Sequence, residues 1–334
     1  MTNLTKNSSK GLASRRAWYA VGLNSPYKLT QCPLSILDIR ILQELPALLQ
    51  YIIYIAYAAA RVIKKISSSD NNYDGVLGVT SVDDELFVLL ERDNNQVAVY
   101  SINDYRQLRH LTLSEFEPDE DSDMTSCVRH RCLYMSDNDN SCIHRYDLSS
   151  KLGAKIKRVV RIDKRVRKWS VPGYPCGLSV TSSCNLLVTC QGEDNKLVEL
   201  CADNGQCVRE ITLQPDIEHP WHSVQLTTGQ LVVCHGFYDD HFHQVCVVGD
   251  DGKATCSYGG ILNRPTHLAV DNDSQSIFVG DDNNDRLVVL LSSTLEFVHE
   301  VDENISHPRR LYFHQATRRL FVGQWDGGVT VIQL

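Results

Sequence analysis

Histidine occurs twice in the same short setting, as Pro220-Trp-His222 and as Pro265-Thr-His267. Imidazole nitrogens bind zinc, and they also accept or release protons near neutral pH. A catalytic zinc ion needs three protein ligands, whereas the sequence contains only these two Pro-x-His segments. We therefore expect two imidazoles whose chemistry depends on the fold that brings them together.

Two further segments are rich in groups that bind ligands. Residues 151–174 contain nine basic residues and one acid, and residues 235–243 read HGFYDDHFH. Arginine forks onto carboxylate or phosphate, and aromatic rings add contact area at low entropic cost. Both segments are also explained by solvated loops, and His235, His241 and His243 add a metal-binding alternative. The elements that carry these segments decide between these interpretations.

A repeat of short strands organises residues 74–334. The middle strand of each unit has a clear sequence, and successive middle strands start 46, 54, 45, 46 and 43 residues apart. Each has an apolar lead strand before it and a further apolar strand after it, joined by Asp-, Asn- or Gly-rich turns. The middle strands are LFVLL (86–90), CLYMS (132–136), LLVTC (186–190), LVVCH (231–235), IFVGD (277–281) and LFVGQ (320–324).

Units of this size, repeated six times, predict an all-β fold, a six-bladed β-propeller. One meander has two apolar faces that it cannot bury alone, so the blades must stack in a ring. The last blade ends after its third strand, at Leu334, which leaves an open edge. We expect residues 60–68 to supply its fourth strand. The predicted domains are therefore an extension at 1–59 and the propeller at 60–334.

The strand pattern of the fifth unit resembles the NHL repeat family. The similarity is carried by Pro265, Leu268-Ala-Val-Asp271, Phe278-Val-Gly-Asp281 and Asn284-Asp-Arg286-Leu287, and it extends more loosely over residues 74–334. It implies a propeller like the one at the C-terminus of TRIM-NHL proteins. The chain lacks the Cys/His spacing of RING and B-box modules. The similarity therefore implies at most a substrate-recognition role in ubiquitin-ligase-type assemblies.

Propeller topology brings several departures from the repeat to one face. Turns between second and third strands share a face with the connections into the next blade and with the start of each lead strand. Aligning the lead strands puts Val76, Thr125, Gly177, His222, His267 and Arg310 around the mouth of the central channel. The predicted partner-binding residues are Arg165, Arg167, Lys168, Trp169, Trp221, His222, Phe237, Tyr238, His241, His267, Arg309 and Arg310.

Charge favours a protein partner over a nucleic acid. Residues 74–334 hold 24 basic and 38 acidic residues, a net charge of −14 that would repel a long polyanion. We expect a non-catalytic scaffold that binds a protein or an acidic peptide and needs no cofactor. Single-stranded RNA binding is the alternative. A second alternative is a zinc-dependent lyase acting on peptidyl-hydroxyglycine, as in six-bladed propellers related to NHL repeats.

The N-terminal extension is basic and partly apolar. Residues 35–65 have a helical pattern, and residues 45–60 contain no charged side chain before Arg61. A membrane anchor, an amphipathic helix and a poorly ordered extension are the three interpretations. Basic residues at 61–65 would keep the propeller cytoplasmic if residues 45–60 spanned a membrane. Eleven of the 12 cysteines fall between Cys127 and Cys256, many in apolar runs. We therefore expect buried thiols in the cytoplasm.

Overall fold

The computed structural model describes residues 60–66, 75–91, 96–113, 116–148, 159–161, 166–236, 243–301 and 305–334. In these residues six sheets form, each a blade around a central channel, and blade six combines the first described strand with the last three. The fold is a six-bladed β-propeller, as the repeat predicts. The predicted helical extension, residues 1–59, lies outside the described residues, so the domain boundary stays a prediction.

Each blade is an antiparallel meander that runs outward from the channel. The strands, innermost first, are Val76–Val82, Glu85–Leu90, Gln96–Ser101 and Gln107–Thr112 in blade one; Met124–Cys127, Cys132–Asp137, Cys142–Asp147 and Val166–Ser170 in blade two; Tyr174–Val180, Leu186–Gln191, Lys196–Leu200 and Cys207–Thr212 in blade three; Pro220–Gln225, Leu231–His235, Gln244–Val248 and Ala254–Ser257 in blade four; Pro265–Asp271, Ser276–Asp281, Arg286–Leu291 and Phe297–Val301 in blade five; and Pro308–His314, Arg319–Gln324, Val329–Gln333 and Arg61–Ile66 in blade six. Single 3-10 turns, Asp282–Asn284 and Gln315–Thr317, occur in blades five and six.

The apolar core is divided among the contacts between neighbouring blades. Among the described residues six apolar clusters form, and each draws side chains from two adjacent blades. Phe278 of blade five packs against Phe313 of blade six, with ring centroids 5.5 Å apart. No blade has a core of its own, so the ring is held together by its interfaces. Cys190 and Cys234 are buried as expected, whereas Cys207 and Cys256 are exposed.

The ring is closed by a strand from the N-terminal side, as predicted. Arg61–Ile66 pairs antiparallel with Val329–Gln333, from Arg61 opposite Gln333 to Ile66 opposite Val329. Ile66 is buried between blades six and one. Blade six therefore has its fourth strand, and its edge is not left unpaired.

The basic stretch 151–174 differs from its expected form, a loop on the channel-mouth face. Val166–Ser170 is the outermost strand of blade two and pairs antiparallel with Cys142–Asp147. A shorter strand, Val159–Arg161, pairs parallel with Gln107–Thr112 and widens blade one to five strands. An outermost strand is covered on few sides, so it needs little apolar alternation and is easily mistaken for a loop.

In the part of the chain that the structure describes, no helix is both long and apolar enough to cross a membrane. Residues 45–60, the candidate membrane segment, are not among the described residues.

Candidate functional site at the mouth of the central channel

A repeated bulge shapes the mouth of the channel. In five blades the pairing of the first two strands skips one residue near the start of the lead strand. A bulge turns the next side chain to a new direction. The skipped residues are Leu77, Cys176, Trp221, Thr266 and Arg309, and the residues after them are Gly78, Gly177, His222, His267 and Arg310.

The structure corrects two positions of the predicted ring. Gly78, not Val76, occupies the ring position in blade one. In blade two that position is Met124, not Thr125, because Met124 pairs with Met135 as Gly177 pairs with Thr189. The preceding residue, Asp123, receives a hydrogen bond from the Ser136 N–H at its carbonyl oxygen and places its carboxylate among the ring side chains. The sequence alignment missed both shifts because it could not tell that blade one has the bulge and blade two lacks it.

Two glycines of the ring are required by close contacts. A Cβ on Gly177 would lie 2.3 Å from the Trp221 carbonyl oxygen, and a Cβ on Gly78 would lie 2.4 Å from the Met124 Cβ. These distances are too short for any side chain. Three of the remaining ring positions carry His222, His267 and Arg310, and the Asp123 carboxylate reaches the same ring from the residue before the fourth; all four polar side chains are buried.

The four polar ring residues link neighbouring blades through hydrogen bonds to the backbone. The Leu178 N–H donates to Asp123 Oδ2 (2.8 Å), the Leu268 N–H to His222 Nδ1 (3.3 Å) and the Leu311 N–H to His267 Nδ1 (3.3 Å). In each case a side chain of one blade accepts a hydrogen bond from a backbone N–H of the following blade. These hydrogen bonds hold neighbouring blades together around the channel, and we call the four residues the latch ring.

An ion pair supplies the charge balance of this ring. Arg310 Nε lies 3.4 Å from Asp123 Oδ1, and the guanidinium also donates to the carbonyls of Leu77 and Ser122. Burial by itself would raise the pKa of Asp123, but His267, through its hydrogen bond, and Arg310 outweigh burial and hold that pKa below its ordinary value. The carboxylate is therefore ionised and matched by one buried cation.

The two histidines are neutral and stack on each other, with ring centroids 3.6 Å apart. Burial lowers the pKa of His222 to about 3, and His267 lowers it further. Burial also lowers the pKa of His267, with Asp123 opposing that shift. Because both Nδ1 atoms accept from backbone N–H groups, both protons reside on Nε2, which faces the Leu178 carbonyl oxygen (3.1 Å) or Asp123 Oδ2 (3.5 Å).

This arrangement is a poor zinc site although Asp123, His222 and His267 converge. A metal ion on Nε2 requires the imidazole proton on Nδ1, where it would point at a backbone N–H. The third potential ligand that the sequence seemed to lack is present as Asp123, but the nitrogens are already engaged. The ring residues fit an inter-blade latch better than a metal centre.

Outside the ring, the mouth carries an arginine stacked on a tryptophan. The Arg309 guanidinium carbon lies 4.2 Å from the Trp325 ring centroid, and Nη2 donates to the Glu120 carbonyl oxygen. Nη1 is buried and has no hydrogen-bond partner among the described residues. Burial, with Arg310 and Arg264 nearby, lowers the pKa of Arg309 to about 10, so it remains charged at neutral pH.

The neighbouring cations of the mouth are already paired. Arg264 lies 3.1 Å from Asp282, and its guanidinium carbon is 5.8 Å from the Trp221 ring centroid. Trp221 itself donates from Nε1 to the Gly236 carbonyl oxygen at 2.8 Å. Arg309 thus has a buried N–H donor that no hydrogen bond uses among the described residues.

Other predicted site residues lie elsewhere or outside the described residues. Arg167 and Lys168 are exposed on the outer strand of blade two, where Arg167 donates to the Asp203 carbonyl oxygen at 2.9 Å. Trp169 is 7% exposed and packs between blades two and three. These three are therefore not part of the mouth. Arg165, Phe237, Tyr238 and His241 are not among the described residues. Trp325 was not predicted, since its turn, WDGG, has no histidine or base in it.

Behind the latch ring the channel contains a cavity of about 130 Å³. All six lead strands line it, with Val79, Thr125, Ser179, Val224, Ala269 and Tyr312 representing blades one to six. Most of its lining residues have apolar side chains, His222 and His267 add polar groups, and no Lys, Arg, Asp or Glu is among its described lining residues. The larger chemical variety of the propeller therefore lies at the mouth.

The fold and the ring together define the class, a six-bladed β-propeller closed by an N-terminal strand. The sequence matches no protein-family profile and no curated protein.

Among solved structures the chain is similar to hydrazine synthase of Kuenenia stuttgartiensis (TM-score 0.56, 12% identity, 80% of this chain and 97% of that chain). It is similar to virginiamycin B lyase from Staphylococcus aureus (TM-score 0.54, 12% identity, 82% and 99%) and to the β-propeller domain of Myceliophteria thermophila Cps50 (Swd1) (TM-score 0.56, 12% identity, 82% and 99%). Two of the three are enzymes by name. At this identity the likeness shows the fold alone.

Proposed function

We propose that this propeller is a non-catalytic scaffold that binds an acidic segment of a protein partner at the channel mouth. The observation that carries the proposal is Arg309, whose Nη1 is buried, charged and without a hydrogen-bond partner in the described residues. A buried donor without a partner is costly, so an incoming carboxylate oxygen would be bound strongly there. Trp325, 37% exposed beside it, offers apolar contact area to the same segment.

The charges around Arg309 favour a short acidic segment over a long polyanion. Arg264 and Arg310 are paired with Asp282 and Asp123, so among the described residues of the mouth we expect the Arg309 guanidinium to receive one carboxylate. Residues 74–334 carry a net charge of −14, which would repel a nucleic acid approaching over the rest of the surface. The basic residues Arg167 and Lys168, which suggested RNA, lie on the outer strand of blade two. RNA binding is therefore the weaker alternative.

Enzyme chemistry at the mouth is disfavoured by the state of its histidines. The ring nitrogens of His222 and His267 are committed to backbone or carboxylate partners, which leaves no lone pair for zinc or for substrate. The lyase alternative would need that lone pair. The resemblance of blade five to NHL repeats is compatible with a recognition role, including substrate recognition in a ubiquitin-ligase-type assembly.

A peptide array with the full-length protein tests the proposal. Peptides that contain Asp or Glu are compared with the same peptides carrying Asn or Gln, and binding of the best peptide is then measured by fluorescence polarisation. We expect the Arg309→Ala variant to lose at least about tenfold in affinity, which corresponds to one charged hydrogen bond. Trp325→Ala should also weaken binding, and both variants should keep the circular-dichroism spectrum of the parent.

The matched control is Arg106→Ala, which removes one positive charge from a side chain that is 70% exposed in blade one, outside the mouth. This variant should bind the peptide like the parent. Equal losses for Arg106→Ala and Arg309→Ala would indicate a general charge effect and would contradict the proposed site. Recovery of nuclease-sensitive RNA, with no preference for acidic peptides, would favour the RNA alternative.

A further inference from the structure

A second buried cluster lies in blade two, at the turn between its second and third strands. His144 Nε2 lies 2.7 Å from Asp137 Oδ2, and Cys142 Sγ lies 3.6 Å from each of these two atoms. The three residues are 1–4% exposed. Thiol, imidazole and carboxylate thus converge on one point, although they have no part in the channel-mouth site.

In blade five the equivalent turn supplies its own partners for the buried carboxylate. Its carboxylate, Asp281, accepts from Asn284 Nδ2 and from Arg286 Nε, both at 2.8 Å. Asp137 and Asn140 occupy the same places in blade two, where Asn140 Nδ2 donates to Asp137 Oδ1 at 2.8 Å. The position of Arg286, however, is taken by Cys142. Blade two therefore lacks the guanidinium that neutralises the buried carboxylate of blade five.

The distances suit a small divalent metal ion. In the plane of Asp137 Oδ2, Cys142 Sγ and His144 Nε2, the equidistant point lies about 1.9 Å from each atom. An ion displaced slightly out of this plane reaches the distances of about 2.0–2.3 Å that zinc requires for these donors. Loss of the His144–Asp137 hydrogen bond lets these two donors separate to the wider spacing of a tetrahedral site. We propose that Asp137, Cys142 and His144 bind Zn²⁺, with the fourth coordination position open to water or to another ligand.

The protons can be placed when the metal binds. The Cys142 thiol releases one proton to solvent, and the imidazole proton of His144 moves from Nε2 to Nδ1. Nδ1 is buried and has no hydrogen-bond partner among the described residues, so no N–H group opposes that proton. Asn140 donates to Asp137 Oδ1 from its backbone N–H and from Nδ2, and Nδ2 also lies 3.1 Å from Oδ2, so Asn140 fixes the orientation of the carboxylate toward the ion.

The cluster is covered by an aromatic ring on one side and lies close to solvent on another. The Phe116 ring packs on His144, with centroids 5.0 Å apart, and excludes water on the side of blade one. Above the cluster, Asp139 and Asn140 are exposed in the turn, so an ion has a short path from solvent. Lys168, exposed on the adjacent outer strand and paired across the sheet with His144, is near enough to Cys142 for its charge to lower the pKa of that thiol, against the burial that raises it. Its ammonium would compete with the ion and would have to swing into solvent.

Metal analysis of the full-length protein tests the zinc site. After purification without chelator and dialysis, we expect about one zinc ion per chain by elemental analysis. Loading with Co²⁺ should give the charge-transfer absorption of a thiolate–cobalt bond. Cys142→Ser and His144→Gln should each weaken zinc binding more than about 100-fold, since each removes a ligand, and Cys142→Ser should remove the thiolate band.

Three further variants keep all donors and hence guard against a simple folding defect. Asn140→Ala should weaken zinc binding about 10–100-fold, as the loss of a residue that orients a ligand does. Lys168→Met should strengthen zinc binding by up to about tenfold, because a repelling charge is removed. Cys190→Ser, a buried thiol of blade three outside the cluster, should bind zinc like the parent.

Two results would overturn the zinc site. One is a wild-type chain that neither retains nor takes up zinc, and that shows no thiolate–cobalt band. The other is zinc uptake that persists unchanged in both Cys142→Ser and His144→Gln, which would place the ion elsewhere.

Discussion

The channel ring and the blade-two turn contain the same residue types in opposite states. In the ring, His222 and His267 receive backbone N–H bonds at Nδ1, and Asp123 is paired with Arg310. In the turn, His144 Nδ1 has no partner among the described residues, and Cys142 stands where blade five has an arginine. The partner of Nδ1 therefore decides what each histidine can do. When a backbone N–H donates to Nδ1, Nε2 carries the proton and the histidine links two strands. When Nδ1 has no such donor, it can take the proton and Nε2 can bind a metal ion.

The largest effect should follow from breaking the ion pair of the ring. Arg310→Met leaves Asp123 buried without its cation, so we expect the free energy of unfolding to fall by about 3–5 kcal/mol. Urea denaturation measures the change. Lys168 lies on the exposed outer strand of blade two, beside the turn. Lys168→Met should therefore change the free energy of unfolding by less than about 1 kcal/mol. Similar losses of stability in Arg310→Met and Lys168→Met would contradict the difference that we infer between the channel ring and the blade-two turn.

Zinc should distinguish the two clusters next. At a free zinc concentration 100 times the dissociation constant, the wild-type free energy of unfolding should rise by about 2.7 kcal/mol. The same rise is expected for His222→Gln, whose substitution lies in the ring, and no rise for Cys142→Ser. Urea denaturation with and without zinc gives the answer. A loss of zinc stabilisation in His222→Gln alone would transfer the metal site to the channel.

Acid should weaken the ring through its neutral histidines. The folded pKa of His222 is about 3, whereas an unfolded histidine titrates near 6.5. Between these values the unfolded chain takes up a proton that the folded chain does not, so stability falls as the pH falls. From pH 7 to pH 5 we expect a loss of about 2 kcal/mol for each such histidine.

The pH dependence is checked by urea denaturation at several pH values. His222→Gln should be less stable than the wild type at pH 7 but should show a shallower loss between pH 7 and pH 5. An unchanged slope in this variant would mean that the folded and unfolded states of the wild type bind the same number of protons at His222, and would contradict a neutral, buried His222.

The smallest effect concerns the turn of blade five. Arg286→Cys reproduces the thiol–carboxylate pair of blade two beside Asp281, with Val288 at the place of His144. Loss of a partly exposed guanidinium should cost about 1–2 kcal/mol. Elemental analysis should show no additional zinc, because two donors are too few. Zinc uptake by this variant in a Cys142→Ser background would show that His144 is dispensable.

The architecture was accessible from the sequence because each blade repeats a strong apolar pattern. The middle strands, the third strands and the closing strand 61–66 all lie where the repeat predicts them. Val166–Ser170 was mistaken for a loop because its outer position demands few apolar residues. The 18 residues between Asp147 and Val166 also interrupt the regular spacing of strands in the repeat.

The sites were less accessible because they depend on bulges and on contacts across turns. His222, His267, Arg309 and Arg310 were found through the alignment of lead strands. Asp123 was missed because blade two lacks the bulge of the other blades, so the alignment chose Thr125, one residue after the equivalent position Met124. The blade-two cluster had a signal: Cys142 and His144 alternate on one face of a strand, and Asp137 ends the strand before it. Its meaning appears only in comparison with Arg286.

The closing strand also determines how this protein responds to mechanical load. Arg61 pairs with Gln333, so the chain enters and leaves the propeller at the same end of one strand pair. A force that pulls Arg61 and Gln333 apart would break the hydrogen bonds of this strand pair one after another, starting at that end. We therefore expect such a force to separate the closing strand from blade six before it disrupts the other five blades.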